Sequence, residues 1–104
     1  MIKKTLIEST TNASNAILII DNININGSVF LFGSNLAGIT ETVNIQIQTV
    51  ENPDITNNDH WETFVVNSTS YVLNASNFSR SFDFCGTYRI SKPSSATAFG
   101  VRFE

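Results

Sequence analysis

Val43, Ile45 and Ile47 alternate with Asn44, Gln46 and Gln48. Side chains that switch between apolar and polar at every step lie on opposite faces of a β-strand, one face buried and one wet. The pattern returns from Phe82 to Ile90, where Phe82, Phe84, Gly86, Tyr88 and Ile90 alternate with Asp83, Cys85, Thr87 and Arg89. It returns again near the C-terminus, where Phe99, Val101 and Phe103 alternate with Ala98, Gly100 and Arg102. No window of similar length carries the i, i+3, i+4, i+7 spacing of an amphipathic helix. With 104 residues there is room for one hydrophobic core. The alternation therefore predicts an all-β protein, a single antiparallel β-sandwich, Ig-like or jelly-roll-like, of about seven to nine short strands.

Two further runs, Ile17 to Ile20 and Val29 to Phe32, are continuously apolar and read as central strands covered on both faces. Between them Asn22 to Asn26 alternates Asn with Ile and ends in Asn26-Gly27, a type I′ turn signal. That predicts a hairpin pairing a strand near Ile17–Ile25 with one near Ser28–Phe32, and a bulge at Asp21-Asn22, where the alternation slips by one place. Trp61 to Val66 and Ser70 to Leu73 are short strand candidates. Breakers mark three loops: Glu51 to His60, with Pro53 and the Asn57-Asn58-Asp59 cluster; Asn74 to Arg80; and Lys92 to Ser95 around Pro93. Residues 1–15 read as a first strand through Ile2, Leu6 and Ile7, or as an arm that orders against a neighbouring subunit. Residues 16–104 form the sandwich domain. The expected core is Val43, Ile45, Ile47, Phe82, Phe84, Tyr88, Ile90, Phe99, Val101 and Phe103, with Trp61 and Phe64 adding rings between the sheets.

Charged residues are 14% of the chain and the net charge is −3. Asn, Ser and Thr, about a third of the sequence, supply the wet faces instead. Such a surface favours close hydrogen-bonded contact over long-range steering. The six basic residues Lys3, Lys4, Arg80, Arg89, Lys92 and Arg102 form no run suited to a phosphate backbone, which argues against direct nucleic-acid binding. Glu8 and the polar run from Ser9 to Asn15 interrupt any signal-peptide core after Lys3-Lys4, and the longest apolar stretch is too short to cross a bilayer. The expectation is a chain made in a reducing cytoplasm, with no membrane partner.

No set of residues assembles into a reactive site. His60 and Cys85 are the only histidine and cysteine, too few for zinc, and no motif activates the thiol. Asp54, Asn57, Asn58, Asp59 and Glu62 gather oxygen ligands of the kind calcium takes, without EF-hand spacing or its turn glycine. The nine acids suggest no catalytic pair, and the glycines follow no phosphate-cradling pattern. Asn-X-Ser/Thr triplets beginning at Asn12, Asn67, Asn74 and Asn77 arise readily in so Asn- and Ser-rich a chain. No catalytic, cofactor-binding or metal residue is expected, and the protein reads as a non-enzyme that works through its surface. Tyr71, Phe78 and Trp61 are candidates for a carbohydrate-binding platform.

One resemblance sharpens that expectation. Thr42-Val43-Asn44-Ile45-Gln46-Ile47-Gln48, a polar loop, Trp61, then Gly86-Thr87-Tyr88-Arg89-Ile90 and the turn Pro93-Ser94-Ser95 before a last strand follow one another in this order. The succession resembles small bacteriophage virion proteins, over roughly Gly38 to Glu104. Those proteins usually carry a short Asp-Gly turn before the Trp, where this chain has Glu51 to His60. The resemblance implies a structural role in the virion, as a capsid decoration (cement) subunit present in many copies or as a homo-oligomer. Its partner would be the major capsid protein or another virion subunit. The alternative is a carbohydrate- or receptor-binding module of a fibre or tail.

Overall fold

The computed structural model describes residues 4–21 and 27–104. In chain order its strands are β1 (Lys4–Thr10), β2 (Ser14–Ile20), β3 (Gly27–Phe32), β4 (Val43–Gln48), β5 (Trp61–Thr63), β6 (Val65–Val66), β7 (Thr69–Ser70), β8 (Val72–Leu73), β9 (Ser79–Phe82), β10 (Gly86–Lys92) and β11 (Phe99–Phe103). Leu36–Gly38 and Asn58–His60 are single 3-10 turns. The fold is all-β and antiparallel, as the alternation predicts.

One sheet has the order β1-β11-β3-β9 and the other β2-β10-β4-β5, with β8 continuing along the same edge of β4 as β5. The first strand thus pairs with the last, β2 with β10, β3 with β9, and β4 with β5. The chain is one long hairpin, doubled back at Glu51 to His60 and rolled so that its ribbon feeds both sheets in turn. That order is the jelly roll, one of the two sandwich types expected. Beyond β5, Val65–Ser70 forms a small hairpin of β6 and β7. Its turn residues Asn67 and Ser68 both have positive φ, 52° and 65°, in the manner of a type I′ turn.

The inner faces meet in a core of Ile7, Leu18, Ile20, Val29, Leu31, Ile39, Val43, Ile45, Leu73, Phe82, Tyr88, Ile90, Phe99 and Val101. Phe64 lies at its edge, its ring centroid 5.0 Å from Tyr88 and 5.5 Å from Tyr71, with Phe82 4.8 Å from Tyr88. Ile47 and Phe103 are partly buried against the same core. Phe84 departs from expectation and is 40% exposed. The even-numbered row from Phe82 to Ile90 is two strands in different sheets, and residues 83–85 carry the chain across between them. Gly86 opens β10 at φ 154°, and the Tyr88 hydroxyl fastens the crossing by donating to the Phe84 carbonyl at 3.0 Å.

Two further expectations need correction. Ile17–Ile20 and Val29–Phe32 do not pair: β2 joins β10 in one sheet, while β3 sits between β11 and β9 in the other. The Asn26-Gly27 turn and the Asp21-Asn22 bulge fall at or across residues 22–26, outside the described residues. Nor is β2 central. It is an edge strand with a regular alternation, Leu18 and Ile20 inward and Ile17 and Ile19 outward, so its unbroken apolar run hid its parity. Lys4–Thr10 is an integral strand of the sandwich, laid against β11 from Lys4↔Phe103 to Thr10↔Phe99. Gly100 admits it: a Cβ there would press into the backbone of Ile7 and Glu8 and stand 2.8 Å from the Phe32 ring.

Candidate functional site

The outer face of the β2-β10-β4-β5 sheet gathers most of the unusual chemistry. One cross-strand row runs Ile17, Arg89, Gln46, Thr63, and the next runs Asn15, Ser91, Asn44, Val72. Odd-numbered Arg89 points outward from β10, yet it is only 4% exposed because the hairpin tip folds down over it. Its Nε donates to Gln46 Oε1 at 2.7 Å, and its Nη1 donates to the Ile55 carbonyl at 2.8 Å and to Asn58 Oδ1 at 3.1 Å. The guanidinium carbon lies 5.5 Å from the centroid of the Trp61 ring. Every one of these partners is neutral. Oriented carbonyl dipoles and a ring face thus replace water around a buried cation, and burial pulls its pKa below the usual arginine value.

Trp61 is buried, but on this outer face rather than between the sheets, since β5 turns Trp61 and Thr63 the same way as Gln48 and Gln46. Its indole Nε1 donates to the Asp54 carbonyl at 2.9 Å. The rest of the tip is held by its own polar groups. Asp54 Oδ1 accepts from the Thr56 amide at 2.9 Å and the Thr56 hydroxyl at 2.8 Å. These bonds hold the Asp54 carboxyl below its usual pKa. Asn57 Oδ1 caps the 3-10 turn by accepting from the Asp59 amide at 3.0 Å. The base of the tip closes where the Thr49 amide donates to the His60 carbonyl at 2.8 Å and the Thr49 hydroxyl to the Asp59 carbonyl at 2.9 Å.

This arrangement settles where the sequence candidates stand. The Asp54, Asn57 and Asn58 oxygens singled out as calcium ligands serve the loop and Arg89 instead. Among the described residues no group of three or more His, Cys, Asp or Glu side chains is placed to hold a metal ion. His60 Nδ1 accepts from the Asp54 amide at 2.9 Å, and Nε2 lies 3.1 Å from Asn57 Nδ2. Cys85 is exposed in the crossing between β9 and β10. Of the three platform candidates only Phe78 is exposed; Trp61 is covered, and the Tyr71 hydroxyl donates to the Ser81 carbonyl while Arg80 lies 5.2 Å from its ring.

The second notable surface is β2 itself. Ile17 and Ile19 are 38% and 68% exposed, and among the described residues no strand pairs with the far side of β2. Sequence reasoning missed both features for the same reason. An outward arginine and an outward isoleucine acquire meaning only once the strand order shows what lies over the first and that no described strand pairs beyond the second. No protein-family profile, curated protein or solved structure matches this chain.

Proposed function

We propose that this protein is a non-enzymatic structural subunit of a bacteriophage virion, a capsid decoration protein that attaches through protein–protein contacts. The observation that carries the reading is the open β2 edge. Seven residues of regular strand, left without a partner on one side among the described residues, stand together with the exposed Ile17 and Ile19, in the form that recruits a strand from another chain. Charge, proline and covering loops normally blunt such edges, and β2 contains neither a charged residue nor a proline. The resemblance over Gly38 to Glu104 supports the same role, as does the jelly-roll order, which many capsid domains share by analogy of fold.

Mass spectrometry of purified particles tests the role directly. The chain is expected there in many copies, and its absence from the particles overturns the reading. The double variant Ile17→Lys/Ile19→Lys tests the surface. Both side chains point to solvent, so stability should change by roughly 0.5 kcal/mol or less, while occupancy on the particle falls steeply. Full occupancy by the folded variant would move the contact away from β2.

A further inference from the structure

We propose that the β2 edge pairs with β2 of a second copy of this chain, antiparallel about a two-fold axis through Leu18 and perpendicular to the sheet. Two sandwiches would then share one continuous sheet. The proposal rests on the reading of β2 as the contact strand and names its occupant. Among the described residues four strands stand at the edges of the two sheets: β1 and β9 of one, β2 and β5 of the other, with β8 on the same edge as β5. All but β2 are blunted in the ways that keep sheets from joining. β1 carries Lys4 and Glu8, and its register against β11 shifts twice. β9 is four residues long and carries Arg80. β5 is three residues long with Glu62 at its middle, and β8 is two. β2 is long, uncharged and regular, matched to β10 residue for residue from Ser14↔Lys92 to Ile20↔Gly86.

Parity and charge select a second copy as the occupant. Joined edge to edge, two sandwiches keep their cores on the same side only if outward residues meet outward residues, because a slip of one place turns a strand over. The outward row of β2 is Asn15, Ile17 and Ile19, and the exposed Asp21 follows directly after the strand. An axis through Leu18 sets Ile17 opposite the second copy's Ile19, and Ile19 opposite its Ile17. It also sets Asn15 opposite the second copy's Asp21, so amide meets carboxylate and no two carboxylates face each other. On the inward row the small Ala16 faces the larger Ile20, and Leu18 faces itself. Moving the axis to Ile17 would face Asn15 with Ile19, and moving it to Ile19 would face Ile17 with Asp21, a polar group against an isoleucine each time. The Leu18 axis is the complementary one of the three. It gathers Ile17 and Ile19 of both copies, 38% and 68% exposed in the single chain, into one cross-strand cluster. Such a pairing uses the same edge in each copy, and so it closes at two.

Sedimentation of the unmodified chain between about 1 μM and 1 mM should show a reversible step from 11.5 kDa to twice that mass. A chain that stays single over that range, or one that grows beyond a pair, would overturn the proposal. Ile17→Lys/Ile19→Lys sets ammonium against ammonium at both outward pairs and should weaken the dimer about tenfold or more. Unchanged association of that folded variant would place the contact elsewhere and sink the idea. The axis has its own test. Ile17→Lys and Ile19→Glu, made in separate chains, should each associate more weakly than the unmodified protein. Mixed, they should form a heterodimer in which the introduced ammonium faces the introduced carboxylate. A mixture that associates no better than its components would rule out the Leu18 axis and the proposal with it. Mass spectrometry of particles reads the virion role separately. A single chain found in particles overturns the pairing and leaves the role, and a dimer missing from particles does the reverse.

Discussion

Lys92 stands on the inward row of β10, in line with Tyr88 and Ile90, and is 1% exposed. Its ammonium donates to the Asn12 carbonyl at 2.9 Å and the Pro93 carbonyl at 3.2 Å, and lies 4.4 Å from the centroid of the Phe99 ring. Burial lowers its pKa from the usual 10.5, against a smaller opposing pull from Glu41. Between that lowered value and 10.5 the unfolded chain holds a proton that the native protein has released, so rising pH favours the native state. The Tyr88 and Tyr71 hydroxyls act the other way. Burial raises both above 10.0, so beyond that pH the unfolded chain loses protons the native state keeps. Denaturation midpoints should therefore climb with pH up to about 10 in the native protein and climb less in Lys92→Met. Equal slopes in the two proteins would remove Lys92 as the source. The slope is the quantity to compare, because the substitution also strands two carbonyls. Parity alone placed Tyr88 and Ile90 correctly. It carried no hint that the row continues inward at a lysine, since the compensating carbonyl comes from Asn12, eighty residues away.

At the scale of elements, individual strands were legible and their partners were not. Val43 to Gln48 and Phe99 to Phe103 appear as their alternation implies, because a half-buried strand writes its two faces into adjacent residues. Pairing leaves no such mark when the partners lie far apart. The Asn26-Gly27 signal suggested a local hairpin, whereas β2 and β3 belong to opposite sheets and each pairs with a strand from the second half of the chain. The short β6–β7 hairpin turns on Asn67-Ser68, where only the asparagine hints at positive φ. The hairpin tip was readable as a polar loop, but not as a cover for Arg89. That role depends on Gln46, Ile55 and Asn58 meeting one guanidinium. Arg89→Ala should cost about 2–4 kcal/mol through lost charge-assisted hydrogen bonds and lost packing on Trp61. It should also speed protease cleavage between Glu51 and His60 at neutral pH while leaving strand content unchanged. An intact, protease-resistant tip in that variant would show that the tip holds itself down.

For the molecule as a whole, the concentric pairing puts long chain separations into almost every sheet contact, the arrangement that folds on the slower end of small domains. It also brings Lys4 and Phe103 side by side. Lys4 and Phe103, as cross-strand neighbours, can be bridged into a ring by a short peptide without bending either sheet. Ring closure should raise stability on the order of 2–4 kcal/mol by shrinking the unfolded ensemble, read as a higher urea midpoint; no gain would mean that β1 and β11 are already close in the unfolded chain. The same adjacency makes the molecule a one-sided mount. Any passenger fused before Lys4 or after Phe103 leaves from the same rim, so two different passengers, one at each end, would be carried as a juxtaposed pair.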